Sequence, residues 1–519
     1  MAKVIYSDQL ADPNFPDSPG YRASGKDEEL WIYNALDNCI THEVYTDLKR
    51  YHSNFAYDMS RCMQGPALTL MRRGVRVNLL ERDRLITSME ADRAKYAAYF
   101  GRLTGESFGE ALNPNSPPQL QKLFYEFLRF KPITKYDRAT RERRVTTDRD
   151  ALEKLSADWR ARAFTRLILE IRDIDKRLQV LRSGIDSDGR LRCSYHVAGT
   201  ETGRWSSSQS AFYGGTNLQN ITDAMRRLFI ADRGKKFAQL DLAQAESVVV
   251  GYLSGDTAYK AALRSGDLHT YVCRLVWPEL PWTGDKKQDR AIAERKYYRD
   301  YSYRDLAKRG GHGSNYGGSP AVLSMHLKVP VDVAERFQSA YFKAFPGIRS
   351  WQARVQQAIA VKRYLDTPLG RRCYFNGRPS DTSLLKSAIA YAPQSTIGDT
   401  LNYGFYKVWQ ALDYLGTGEI ELLLQVHDSI LFQFDPAKVN EADLLDRVAK
   451  LLLTPICIDG DWALIKSDAQ VGWNWGKVKK DKDGNVIRNP HGLVDYSGED
   501  TRQAPEEFSQ LDRRVCDIH

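Results

Sequence analysis

The chain has 519 residues, and its 75 Lys and Arg against 66 Asp and Glu give a net charge of +9. That length allows about three subdomains around a sizeable core, and the modest basic excess suits a polyanionic partner without requiring one. No uncharged apolar window is long enough for a membrane-spanning helix, and the opening residues lack the apolar region of a signal peptide. Seven cysteines, at 39, 62, 193, 273, 373, 457 and 516, form no CxxC pair and no His/Cys cluster. Reduced thiols, a cytoplasmic setting and no structural zinc are therefore expected.

In chain order, residues 1–27 are rich in Pro, Gly and Asp and read as loose. Residues 28–51 carry apolar positions at helical spacing. A helical stripe over 58–73 stops at Gly74, and 75–77 reads as a brief extended piece. A long amphipathic helix is expected over 79–103. The loop at 113–118 starts a helix at Gln119, and 134–149 reads as a basic, mobile loop. Thr147 or Asp148 caps the next helix, and 159–181 reads as another long one. Charged helices flanking basic loops suit contact with a duplex backbone, but an ordinary solvated helical hairpin fits them as well.

The most informative stretch is Leu240-Asp241-Leu242-Ala243-Gln244-Ala245-Glu246. Residues 237–241 read as a buried strand, and 244–253 as a helix or apolar segment leading away. A carboxylate at the end of a buried strand needs a partner, and a hard divalent cation such as Mg²⁺ suits it. The second carboxylate is best sought at Asp428, where His427-Asp428-Ser429 interrupts two apolar runs and reads as the turn of a hairpin. Two strand-end aspartates could hold two metals about 3.5–4 Å apart, the arrangement used for in-line phosphoryl transfer.

Between them, Arg304, Lys308, His312 and Tyr316 recur every four residues, so a helix would stack them on one face. Two cations one turn apart can clamp a triphosphate, although a solvated basic helix face has the same pattern. Gly310 and Gly311 cost about 1 kcal/mol each relative to Ala inside a helix. A soft helix that orders mainly on nucleotide binding is expected. Residues 277–303 interleave basic and aromatic side chains, which suits a single-stranded template or, equally, a surface loop with an amphipathic helix. Residues 476–519 read as a polar, flexible tail or a partner-binding segment.

Several motifs, in order, resemble those of the family A DNA polymerases, the bacterial DNA polymerase I type. They are Thr202-Gly203-Arg204 with Ser206-Ser207, Asn217-Leu218-Gln219-Asn220-Ile221, Asp241 with Gln244 and Glu246, and Leu253-Ser254-Gly255-Asp256. Asp267-Leu268-His269, Thr367 with Gly370-Arg371, and Gln425-Val426-His427-Asp428 complete the series. The resemblance spans about 65–475 and implies an α+β right-hand fold, with an antiparallel palm sheet and largely helical thumb and fingers. It divides the chain into an N-terminal segment (1–57), thumb and palm-entry helices (58–190), palm (191–255), fingers (256–385), palm again (386–475) and tail (476–519).

The implied activity is template-directed addition of dNTPs to a primer 3′-OH with two Mg²⁺ ions, or Mn²⁺ in their place. Asp241, Asp428 and the Leu242 carbonyl would ligate metal, and Lys308 would hold phosphate and donate a proton to pyrophosphate. Arg304, His269, His312, Tyr316 and Gln244 would bind nucleotide, and Glu246 would exclude ribose. Arg204, Gln394, Gly317, His427 and Asn220 would contact DNA. Two departures stand out: His312 replaces an aromatic Phe or Tyr, and Ser429 replaces Glu. Tyr33-x-x-x-Asp37 resembles the last motif of proofreading exonucleases, but no Asp-x-Glu strand precedes it, so no working proofreading domain is expected. A separate exonuclease or processivity partner, a monomer, and the cytoplasm of a bacterial or phage-infected cell fit this reading. The alternatives are a phage-type single-subunit RNA polymerase and an inactive primer–template binding protein. Glu246 and the intact aspartates speak against them.

Overall fold

A computed structural model describes residues 27–50, 54–137, 140, 142–298, 301–413, 416–481, 485–498, 500 and 502. Of the segment 1–27 expected to be loose, residues 1–26 lie outside them and Asp27 opens a helix. Helix α1 (Asp27–Leu48) carries Tyr33 and Asp37. Residues 58–73 are not one helix: Asn54–Cys62 ends before Met63, and α2 (Gln64–Arg73) follows. Gly74 terminates α2 with φ +63, and a Cβ there would lie 2.5 Å from Arg192 Cγ. Glycine meets both the left-handed backbone and the close approach.

Helix α3 (Leu79–Phe108) outruns the expected 79–103 by a turn, starting at the Asn78 cap and ending at Gly109, φ +88. Helix α4 (Trp159–Leu181) has the expected bounds and is capped by Asp158. The two pack with residues 117–127 around Phe100, Leu120, Phe124, Ile168 and Ile171, all fully buried. The helix expected at Gln119 begins at Pro117 and runs into a π-helical turn, Lys122–Phe127. Asp148 is the cap of Arg149–Leu155, accepting from Ala151 N. The basic stretch at 134–149, expected as a mobile loop, contains two paired strands. Thr134–Asp137 pairs with Glu142–Val145 as an exposed hairpin, tied down where Lys135 meets Asp148 at 2.8 Å.

The main sheet holds β1 (Lys236–Leu242), β2 (Ile420–Val426), β3 (Ser429–Phe434), β4 (Ser467–Gly472) and β5 (Val494–Asp495). Its order is β2-β3-β1-β4-β5, antiparallel throughout. Every residue of β1 except Asp241 is buried, including the polar Lys236 and Gln239, so both faces of the strand are covered. Helix α5 (Ala245–Ser254) leaves its end. Helix α8 (Thr382–Leu412) shares one core with the sheet, to which Phe237, Val249, Ile397, Phe405, Leu422 and Phe432 belong. Each such side chain contributes about 1.5–3 kcal/mol by leaving water.

Helix α6 (Tyr303–Asn315) and α7 (Val331–Ala344) form a third packed unit. A Cβ on Gly310 would meet Phe337 Cε1 at 2.6 Å, and one on Gly311 would meet Tyr341 at 3.4 Å. Gly310 is therefore a packing requirement, whereas Gly311 leaves room for a methyl, and α6 is a complete helix with a Ser302/Asp305 capping box. Of the two readings open for residues 277–303, a stacking surface and an ordinary packed segment, the second describes two of the tyrosines. Tyr297 and Tyr303 pack on Trp277, with ring centroids 5.4 and 5.0 Å away.

The region expected to be a flexible tail is folded up to Asp500 and Arg502, where it is described. β5 completes the main sheet, and Leu493 is buried. Lys236, itself buried, meets Glu441 at 2.7 Å and Asp500 at 3.0 Å. The apolar residues that hold this segment are few and widely spaced, so periodicity could not reveal it.

Candidate active site

Two backbone irregularities aim the two carboxylates. After β1, Gln244 takes φ +51 and turns the chain into α5. Between β2 and β3, His427 takes φ +54 in a two-residue turn. Left-handed non-glycine residues cost roughly 1–3 kcal/mol and concentrate at functional sites. In register, Ser429 faces Asp241, and Leu242 N donates to the Asp428 carbonyl at 3.1 Å. Asp241 and Asp428 therefore stand at adjacent strand ends.

The turn bearing Asp428 is held from behind. Gln219 donates to Gln425 Oε1 at 2.9 Å, and Gln425 donates to the His427 carbonyl at 2.7 Å. Tyr195, wholly enclosed, bridges the Gln425 backbone, donating to its carbonyl and accepting from its N–H, each at 3.2 Å. Sequence reading named the motifs containing Gln219 and Gln425 but missed that these two side chains meet. Ser429 Oγ donates to the Val426 carbonyl at 2.9 Å, so it closes its own turn.

The electrostatics mark this as a site short of positive charge. Partial burial of the carboxyl raises Asp241 to about 6, and the neighbouring Asp428 adds to the rise, although the side chain still reaches solvent. Asp428 is raised as well, chiefly by burial, against the opposing pull of Arg204. Glu246 goes the other way. Burial would raise it, but His312, Arg204 and the Tyr316 hydroxyl hold it below the usual carboxylate range. His312 Nδ1 lies 2.9 Å from Glu246, and its ring meets Tyr316 edge-on at 4.8 Å.

The cleft beside these groups is about 790 Å³, and Leu242, Gln244, Glu246, His269, Lys308, His312 and Asp428 line it. His269 is pushed down to about 4 by burial, with Arg304 and Lys308 adding to the fall, so it is a neutral imidazole at pH 7. It can donate or accept a hydrogen bond but brings no charge of its own. Arg304 does not line this cleft with Lys308. It pairs with Asp267 at 3.0 Å, so the expected two-cation clamp is split.

Arg204 is likewise committed elsewhere than expected. Its Nη2 lies 2.9 Å from Asp428 Oδ1 and 3.6 Å from Glu246. The loop that carries it is wedged between glycines. Gly203, φ +74, lies against the Arg371 guanidinium, and a Cβ on Gly398 would lie 3.0 Å from Arg204 Cγ. Arg371 in turn grips buried Asp399 at 2.8 Å, a partner that sequence reading did not find. Gln394 sits half-buried on α8, one residue after Pro393. Asn220 and His427 are exposed, and Gly317 holds φ +71 at the end of α6.

The residues present fit a hard divalent cation. Two carboxylates forced together with raised affinity for protons are stabilised by any added positive charge, and the Leu242 carbonyl stands between them in sequence. Among the described residues, no group of three His, Cys, Asp or Glu side chains converges on one point. The protein side of such a site is thus two carboxylates plus backbone oxygen, with further positions left to substrate and water.

Comparison with known proteins gives the family and the fold. Residues 83–477 match the model of DNA polymerase family A. The chain is 27% identical over 426 residues to the thermostable DNA polymerase I of Thermus filiformis, covering 79% of this chain and 46% of that protein. It is 30% identical over 358 residues to the DNA polymerase I of Mycobacterium bovis, covering 65% and 36%. It thus spans at most about half the length of these relatives. A solved structure, the POL domain of Pol1 from M. smegmatis in complex with DNA primer-template and dNTP, matches with a TM-score of 0.61 at 24% identity, over 77% of this chain and 67% of that one. The fold is that of a polymerase domain, and the chain belongs to DNA polymerase family A.

Proposed function

We propose that the protein is a DNA-directed DNA polymerase, extending a primer 3′-OH by attack on the α-phosphate of an incoming dNTP. The observation that carries this reading is the meeting of Asp241 and Asp428 at adjacent strand ends beside a cleft floored by Glu246 and walled by Lys308. Asp241, Asp428 and the Leu242 carbonyl would hold divalent cations, with Mg²⁺ preferred because all donors are hard oxygens. Such ions, when bound, lower the pKa of the primer hydroxyl and neutralise the leaving pyrophosphate.

The chain's own groups do the rest. Lys308 reaches into the cleft from α6 and pairs with the triphosphate, then stands ready to protonate pyrophosphate. His269, neutral and half-buried, donates an N–H to phosphate oxygen. Glu246, fixed by His312, crowds the sugar 2′ position, so a ribose hydroxyl would meet a desolvated carboxylate. Gln244 and Tyr316 flank the sugar and base. Arg204 exchanges its bond to Asp428 for a minor-groove acceptor of the nascent pair, where every correct pair offers one. Gln394, Asn220, Gly317 and His427 would line the duplex path. Arg304 organises the fingers through Asp267 rather than touching phosphate directly.

The family match does not favour the RNA polymerase alternative, and the paired aspartates do not favour an inactive binder. Primer extension with purified protein tests the reading. Template-directed incorporation of dNTPs, strongly preferred over rNTPs and dependent on divalent metal, is expected. Failure to extend a primed template under any metal would overturn it.

A further inference from the structure

The family match stops at residue 477, yet the chain goes on to build a further hairpin. Lys479–Lys480 pairs antiparallel with Val486–Arg488. The base of this hairpin is rigid. Leu493 N donates to the Gly476 carbonyl at 2.7 Å, and Val478 N donates to the Leu493 carbonyl at 3.0 Å. Asn474 and Asn489 exchange amide hydrogen bonds at 2.8 and 2.9 Å. A Cβ on Gly492 would lie 2.2 Å from the Gly476 carbonyl, so only glycine lets the two segments run this close. Farther on, Arg502 donates to the carbonyls of Gly492 and Val471 at 2.8 and 3.0 Å and stitches the segment to the sheet.

Such a stem orders a surface in advance. Its exposed side chains are cationic: Lys477, Lys479, Lys480 and Arg488 all reach solvent, and none is ion-paired among the described residues. Among the described residues one acid, Asp481, stands with them, and its carboxylate is engaged by Asn485 N at 2.8 Å and Asn485 Nδ2 at 3.2 Å. The ridge also has a defined position. Gln239 and Asp241 project from the same face of β1. Trp475 donates to Gln239 Oε1 at 2.8 Å, and the Arg226 guanidinium lies over the Trp475 ring at 4.5 Å. Lys477, two residues on, adds its charge to the field felt by Asp241.

We infer that this hairpin is a second DNA-contacting element, gripping the phosphate backbone of the primer–template duplex near the strand end that carries Asp241. The inference rests on the polymerase reading above. A fixed row of unpaired cations is the footprint of a polyanion, and the apolar Val486 and Ile487 beside it can pack against sugars.

The experiment measures the primer–template Kd of the full chain against salt concentration, for wild type and for Lys479→Ala/Lys480→Ala/Arg488→Ala. Each lost phosphate contact removes about 0.9 from the slope of log K against log salt, so a fall of about 2–3 is expected. Lys479→Arg/Lys480→Arg keeps the charge and is expected to keep the wild-type slope. A matching thermal midpoint for the alanine variant excludes unfolding as the cause. An unchanged slope overturns the inference and leaves the polymerase reading standing, as does a loss that the arginine variant shares. A wild-type chain that neither binds nor extends DNA overturns the polymerase reading itself.

Discussion

Arg204 donates from Nη2 to both carboxylate oxygens of Asp428, at 2.9 and 3.2 Å. The same nitrogen is 3.6 Å from Glu246. One guanidinium thus offsets charge on a proposed metal ligand and on the proposed ribose gate. A metal ion and Arg204 compete for Asp428, and a charge-assisted hydrogen bond of this kind contributes about 1.5–3 kcal/mol. Arg204→Ala is therefore expected to bind Mn²⁺ roughly tenfold more tightly in the absence of DNA, because the competitor is gone. Primer extension by the same variant falls, because the minor-groove contact is also gone. Manganese titration followed by electron paramagnetic resonance, beside steady-state kinetics, checks both halves. Weaker Mn²⁺ binding would contradict the competition.

The Asp241 carboxyl, raised to about 6 by partial burial and by Asp428, sets a pH dependence. The folded state holds this proton more tightly than the unfolded state does. Without metal, stability therefore declines as pH climbs from about 4 through 6, and the full penalty is present above 6. Asp241→Asn removes the penalty, so the variant is expected to melt higher than wild type at pH 7.5 and equally at pH 4. Solvent reaches this side chain, so the gain is on the order of 1 kcal/mol. Divalent metal is expected to raise the wild-type midpoint and not the variant's. Thermal melts at two pH values, with and without Mg²⁺, read this out.

Gly310 and Gly311 are adjacent in α6 but face different neighbours. Gly310→Ala places a methyl 2.6 Å from the Phe337 ring and is expected to destabilise by about 1–3 kcal/mol despite better helix propensity. Gly311→Ala meets Tyr341 at ordinary contact distance and is expected to stabilise by up to about 1 kcal/mol. Denaturant unfolding of the two variants tests whether packing or propensity governs this helix. Equal effects would contradict the packing account.

Much of this fold was legible in the chain because its signals are local. The strand ending at Asp241, the hairpin around Asp428 and the long helix at 159–181 follow from apolar runs, turn chemistry and caps. What escaped was long-range. Arg204 with Asp428, Arg371 with Asp399 and Gln219 with Gln425 join residues whose side chains carry no mark of their partner. The folded segment beyond 476 escaped because Gly476, Gly492 and an asparagine pair hold it, and these read as loop. Arg304 and Lys308 share a helix spacing, yet Asp267, 37 residues upstream, takes one of them away.

The central claim is that Asp241 and Asp428 together form the nucleotidyl-transfer site. It is tested most directly by single-turnover primer extension with Asp241→Asn and Asp428→Asn, with primer–template Kd measured in parallel. Extension slowed by at least about a thousandfold in both variants, with Kd for DNA within a few-fold of wild type, is the predicted result. Extension at the wild-type rate by either variant would contradict it.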